Sequence, residues 1–300
     1  MSDAPQGVGA PLLRKEDDRY MRGRGLYVAD IKPAGVRDVA FVRSPLAHAR
    51  IVGIRVPTDI RDRVFVASDM IDVQPIRAVS ALPGFKPSVQ PAVAGEKVRH
   101  VGEIVAICFA DSRAEAEDLV ARVEVDYDEL PAIHDMLQAR EEDAALIHDE
   151  WGDNVFLESF VDVGNIEGVA DRAAIKVERE FRTARQCMAP IEGRGVVAEW
   201  DTRLEQLIVH SATQMPHIVR SGMAECLGLD HGRIRIIAPD VGGGFGYKGI
   251  LLAEEVALGW LTRRLGWPVR WIEDRREHLI GNANCREHHY KITGYADLNG

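Results

Sequence analysis

Cysteine is scarce in this chain. Only Cys108, Cys187, Cys226 and Cys285 are present among 300 residues, and no two form a C-x-x-C pair. Such spacing offers neither a disulfide framework nor a local zinc or iron–sulfur site, and a reduced, cytoplasmic chain is expected. Long apolar runs are missing as well. None approaches the ~18 residues a membrane span needs, and the start, Met1 to Gly7, has neither the basic nor the apolar region of a targeting peptide. An excess of positive charge is also lacking. Lys and Arg number 37 against 47 Asp and Glu, a net charge of −10, which argues against a general nucleic-acid or membrane-surface binder. There is no internal repeat and no low-complexity tract.

What is present is the composition of a folded protein, 46% hydrophobic and 28% charged. At about 100–200 residues per domain, two domains are expected. Residues 1–19 are polar and charged and read as an N-terminal arm. Residues 20–135 read as α+β, with strands near 38–42, 49–56, 102–110 and 123–127. Ser112, with Glu115 three residues on, fits a capping box that opens a helix through about 121. Periodicity fades over 136–158, which reads as a linker. The second region, 159–300, shows strands near 174–182, 195–200, 206–210, 233–238 and 269–272, and helices near 217–227 and 250–265. A last strand near 287–296 runs into the turn residues Asp297, Leu298 and Asn299. No return strand follows, so this strand is expected to lack a partner unless a further piece or another chain supplies one.

The strongest local signal is the run Gly242-Gly243-Gly244-Phe245-Gly246-Tyr247-Lys248-Gly249, placed between a strand and a helix. Glycines let backbone approach a ligand closely, and a following helix N-terminus offers free N–H groups. Together they suit a phosphate or a pterin-like ligand. Residues 244–249 also satisfy G-x-G-x-x-G, so a nicotinamide dinucleotide oxidoreductase is a competing reading. Against it, Pro239, Asp240 and Val241 separate the glycines from the strand, and the next strand-end acids, Glu273 and Asp274, come late. Lys248 is followed by glycine rather than Ser or Thr, so the P-loop pattern fails.

Several further segments occur in a fixed order: Arg22 to Gly25 with Tyr27 and Asp30; Phe41 through Ile51 with Pro45, His48 and Arg50; Gly102-Glu103; and Val125 through Pro131. After them come Pro190-Ile191-Glu192, Thr213-Gln214-Met215-Pro216-His217, the glycine run, and Glu273 through His278. In this order the chain resembles the molybdopterin-binding large subunit of the molybdenum hydroxylase family: xanthine dehydrogenase, aldehyde oxidase and aerobic carbon monoxide dehydrogenase. The resemblance implies a small α/β hammerhead domain followed by the first part of a mixed-sheet molybdopterin-binding domain.

It also implies a molybdopterin-type cofactor, in the cytosine dinucleotide form, with Gln214 hydrogen-bonding an oxygen ligand of molybdenum and Gly243, Gly244, Phe245 and Gly246 lining the cofactor. The implied reaction hydroxylates an aldehyde or N-heterocycle with water as oxygen source. Electrons would pass to Fe–S and FAD partner subunits in a hetero-oligomer. Gly249 stands where purine-oxidising relatives carry a substrate-binding glutamate, which argues against purines. The family subunit is longer, so its base glutamate is expected beyond Gly300 and no catalytic residue is assigned within 1–300. A non-catalytic half-subunit or scaffold completed by another chain is the remaining alternative.

Other polar residues have plainer readings. Taken alone, Gln214 would cap the helix starting near His217. Glu192 suits a salt bridge or backbone acceptor better than a general base. Arg275 and Arg276 suit an anion site, a solvated charged turn or a subunit contact. His288 and His289, adjacent on a strand, face opposite sides and cannot share one metal.

Overall fold

A computed structural model describes residues 7–281 and 283–299. The first half contributes a short helix α1 (Asp17–Met21) and strands β1 (Arg37–Arg43), β2 (Ala49–Arg55), β3 (Val64–Val66), β4 (Ile76–Arg77), β5 (Val89–Gln90), β6 (Lys97–Val98), β7 (Ile104–Ala110) and β8 (Glu124–Glu129), with helix α2 (Arg113–Val120) between β7 and β8. The second half adds helix α3 (Ile166–Ala170), strands β9 (Ile175–Thr183), β10 (Gly195–Asp201) and β11 (Gln206–Ser211), helix α4 (Pro216–Leu227), and strand β12 (Ile234–Ile237). It ends with helix α5 (Ala253–Leu265), strand β13 (Val269–Ile272), helix α6 (Arg275–Gly281) and strand β14 (His288–Ala296).

Strands from both halves share one seven-stranded mixed sheet in the order β12-β11-β10-β13-β1-β7-β3. The junction is the parallel pair β1–β13, Arg37 opposite Val269 and Asp38 opposite Arg270. A two-point ion pair from Arg270 to Asp38, at 2.8 and 2.9 Å, reinforces it. The apolar run of β7 is buried along its whole length because both faces are covered. One face meets α2, whose Ala116 and Leu119 pack on Ala106 and Cys108. The other joins the main core, where α5 (Val256, Leu258, Leu261) and α4 (Val219, Met223) cover the sheet. Ser112 caps α2 as its spacing predicts, its hydroxyl accepting from the Glu115 N–H.

Strands β2, β6 and β8 form a separate three-stranded sheet, and β9 pairs antiparallel with β14 over nine residues, Ile175 opposite Ala296 through Thr183 opposite His288. This corrects the expectation of an unpartnered last strand. Its partner lies more than a hundred residues upstream, and a local turn signal cannot reveal a pairing of that separation. Alternation makes the ribbon two-faced. Ile175, Val177, Phe181, Tyr290 and Ile292 share one side, and Lys176, Glu178, Glu180 and Lys291 the other. The apolar side is open to solvent.

Two further expectations change. The second-region helix starts at Ala253 rather than 250. Arg275 and Arg276 are exposed as expected but begin helix α6 rather than a turn, and Arg275 donates to the Pro190 and Ile191 carbonyls at 2.8 and 3.1 Å.

Candidate functional site

The glycine run fills the connection between β12 and α5. Its backbone turns left-handed at Gly243 (φ +99°), Phe245 (φ +53°) and Gly246 (φ +90°). Glycine adopts such values freely, whereas phenylalanine is strained there. Phe245 stands at the crest of the loop with its ring mostly exposed. Two other glycines are required by close approach. A Cβ on Gly242 would lie 2.5 Å from the Glu192 Cβ, and one on Gly244 would collide with the Gln214 carboxamide. The structure therefore brings Gln214 together with Gly243, Gly244, Phe245 and Gly246.

Gln214 lies between β11 and α4. Its N–H donates to the Lys248 carbonyl at 2.9 Å, and the Thr213 hydroxyl donates to that same oxygen at 3.1 Å. The Gln214 side-chain oxygen accepts from the Gly246 N–H at 2.9 Å. With its oxygen so engaged, the amide keeps its NH2 to donate to a ligand. The helix-capping reading does not hold. Thr213, not Gln214, receives the Met215 N–H, and Pro216 fills the first helical position.

Beneath the loop lies a buried network of charges, of which the sequence reading found only Glu192, here both a salt-bridge partner and a backbone acceptor as expected. Lys248, fully buried, donates to Glu192 at 3.0 Å, and the Gly242 N–H donates to the same carboxylate oxygen at 2.7 Å. Burial lowers the pKa of Lys248, and Glu192 offsets part of that. The Tyr247 hydroxyl donates to Glu273 at 2.6 Å, and His278 lies 3.0 Å from the same oxygen. Arg194 bridges Glu273 and Glu254 at 2.8 Å each, and Arg43 joins Glu254 to Glu277. Burial alone would raise the pKa of Glu273, but the charge of Arg194 and the bonds it and Tyr247 donate hold it at about 2. Burial and the neighbouring Glu254 push Glu255 up to about 7. The available signals were Arg194 beside the apolar run 195–198 and the adjacent acids Glu254 and Glu255 opening an apolar helix. Buried ions of this kind occur paired.

The N-terminal arm takes part as well. Arg19 pairs with both oxygens of Asp240, Tyr20 donates to it at 2.9 Å, and the Leu26 N–H donates at 2.8 Å. Asp240 precedes the glycine run by two residues, so α1 braces the entry to the loop.

This arrangement presents the N–H groups of Gly243, Gly244 and Phe245 and one amide donor along a glycine cradle whose Gly242 and Gly244 sit hard against Glu192 and Gln214. Donors of this kind suit a polar ligand rich in acceptor atoms. No group of three or more His, Cys, Asp or Glu side chains that could hold a metal ion lies among the described residues, so a metal here would have to arrive on ligands of its own. The dinucleotide alternative fits poorly. The loop leaves β12, an edge strand of the seven-stranded mixed sheet, rather than a strand of a doubly wound parallel one. It also does not run directly into a helix, because Ile250, Leu251 and Leu252 intervene. The first turn of α5 carries Glu254 and Glu255, and the Glu255 carboxylate binds the Leu252 N–H. An anion is disfavoured there.

Comparison with known proteins identifies both parts of the chain. The model of the aldehyde oxidase and xanthine dehydrogenase a/b hammerhead domain matches residues 22–131, and that of the molybdopterin cofactor-binding domain matches residues 147–300. The nicotine 6-hydroxylase large subunit of Paenarthrobacter nicotinovorans is 32% identical over 298 residues, 98% of this chain and 36% of that protein. The carbon monoxide dehydrogenase large chain of Hydrogenophaga pseudoflava is 32% identical over 297 residues, 94% of this chain and 37% of that protein. Among solved structures, quinoline 2-oxidoreductase from Pseudomonas putida 86 superposes with a TM-score of 0.88 at 38% identity, covering 95% of this chain and 37% of its own. The Cu,Mo-CO dehydrogenase superposes at 0.85 with 30% identity, over all of this chain and 39% of its own. The chain thus spans well under half the length of these relatives. It belongs to the molybdenum hydroxylase family and carries, in order, that family's hammerhead domain and its molybdopterin cofactor-binding domain.

Proposed function

We propose that this chain is part of the large subunit of a molybdenum-dependent hydroxylase that acts on an aldehyde or N-heterocycle, with water as the oxygen source. The observation that carries the reading is the engagement of the Gln214 oxygen by the Gly246 N–H, which commits the amide NH2 to donate outward beside the glycine cradle. Gln214 would hold an oxygen ligand of the metal without adding charge, and Gly243, Gly244, Phe245 and Gly246 would line the pterin, the first three with backbone donors while the Gly246 N–H holds Gln214. When bound, the molybdenum–pterin group supplies the two-electron oxidation. In this proposal the cofactor has the cytosine dinucleotide form and electrons leave to Fe–S and FAD partner subunits, with the complex cytoplasmic.

The base is supplied from outside residues 1–300. Of the carboxylates nearest the loop, Glu273 is held by Arg194 and Tyr247, and Glu192 is held through Oε2 by Lys248 and Gly242, its Oε1 being buried without a hydrogen-bond partner. Glu255, though raised, is fully buried behind the sheet. Gly249 presents no side chain to a polar substrate edge, which supports a substrate other than a purine.

The test is elemental analysis of the protein purified with its natural partners. About one molybdenum per chain, with iron and flavin on other chains, supports the proposal. A complex that retains all its chains and contains no molybdenum overturns it.

A further inference from the structure

Glu192 makes three contacts with the glycine run, and together they span it. Its N–H donates to the Gly242 carbonyl at 3.2 Å. Its Oε2 accepts from the Gly242 N–H at 2.7 Å and from the Lys248 ammonium at 3.0 Å. Gly242 opens the glycine run and Lys248 stands one residue before its end, so one carboxylate oxygen ties the two sides of the run. The fit is close, since a Cβ on Gly242 would overlap the Glu192 Cβ and one on Gly243 would fall 2.9 Å from the Pro190 Cβ. Segment 190–192 is itself held by Arg275 through the Pro190 and Ile191 carbonyls. The tie therefore runs from α6 through Glu192 to the loop. Lys248, with a wholly buried side chain, faces Glu192 and not the cradle.

We infer that Glu192 is the positioning residue of the glycine loop: it fixes the distance between Gly242 and Lys248, and thereby the aim of the N–H groups of Gly243, Gly244 and Phe245 and of the Gly246 N–H that holds Gln214. The lysine serves this tie rather than binding the ligand. A ligand at the loop is then met by backbone dipoles and the Gln214 amide, with no cation at the cradle. A P-loop, where the lysine itself reaches the phosphates, works in the opposite way.

The part of the test that concerns cofactor loading rests on the proposed function; the part that concerns the loop alone does not. The single variant E192Q leaves the Lys248 charge buried without its partner and is expected to unfold more readily. The informative variant is the double substitution E192L/K248M, which removes both charges, keeps apolar volume and cuts both side-chain ties. The variant K248M alone cuts only the far one.

Hydrogen exchange of the full chain is followed at the amides of residues 240–249. In the double variant these amides are expected to exchange at least ten-fold faster than in wild type, with K248M intermediate and the β10 and β11 amides unchanged. Wild-type protection of the loop in the double variant overturns the positioning role. If the double variant fails to fold, K248M decides: faster exchange confined to the loop supports the role, and wild-type exchange overturns it.

In the complete complex, molybdenum per chain and the Mo(V) EPR line shape are measured for the same variants. Loss of molybdenum, or an altered line shape at retained molybdenum, is expected. Unchanged content and line shape overturn the role toward the cofactor. A wild-type complex without molybdenum instead overturns the proposed function and leaves the exchange result standing.

Discussion

The side-chain oxygen of Gln214 accepts a hydrogen bond from the Gly246 N–H at 2.9 Å across 32 residues of sequence. This one bond orients the amide, and it separates binding from folding, because Gln214 is exposed. Q214A should cost only about 0.5–1.5 kcal/mol in stability, the value of a single exposed-site hydrogen bond. Molybdenum content or turnover of the complex should fall at least ten-fold. Q214E should keep the bond to Gly246 but lose the donor, so it should show the same deficit with less change in stability. Metal analysis beside thermal melts checks this, and full loading of Q214A would count against the role.

The glycines of the loop should separate in the same way. Gly244 has an ordinary backbone, but a methyl there meets the Gln214 carboxamide. G244A should displace that amide and impair loading with little loss of stability. Gly246 is the reverse case, with φ +90° and open space around the missing Cβ. G246A should lower stability by about 1–3 kcal/mol through backbone strain. The pair is scored by Tm against molybdenum content, and equal effects in both variants would refute the distinction.

Stability should depend on pH through two buried glutamates of opposite sign. Glu255 is raised from 4.5 to about 7, so between those values the folded state holds the proton the unfolded state has released. Stability should fall as pH rises through that window and level off above it, at a cost of about 3 kcal/mol. Glu273 is held down at about 2. Its contribution is present above about 4.5 and is lost as pH falls towards 2. E255Q should therefore raise the Tm at pH 8 and leave it nearly unchanged at pH 5. Parallel melting curves for wild type and E255Q across that range would show that the residue does not titrate as described.

The arm should matter more than its composition suggests. Arg19 and Tyr20 hold Asp240 at the entry to the glycine run. Removing residues 1–21, or making D240N, should speed limited proteolysis within 238–252 and lower the Tm. The cuts should leave the β2–β6–β8 sheet intact. An unchanged cleavage pattern would place the arm outside the site.

Local chemistry in the sequence determined a good deal. The unbroken apolar run of β7 specified a strand covered on both faces, Ser112 and Glu115 specified the start of α2, and four glycines within five residues specified a loop built for close approach. Gln214 became notable only through family resemblance, since an isolated glutamine before a helix has a sufficient local explanation as a cap. Tertiary structure decided which groups meet. Glu192 reaches Lys248 across 56 residues, Arg19 reaches Asp240 across 221, and β9 finds β14 at the far end of the chain. Alternation and burial tell a strand which face is apolar, but every apolar strand in the chain carries much the same message. Its actual neighbour is chosen by register, twist and packing summed over the whole sheet. The charged network under the loop follows the same logic. Arg194, Glu254 and Glu273 read singly as ordinary surface residues, and only the fold, by removing water from all three together, makes each one's partner obligatory.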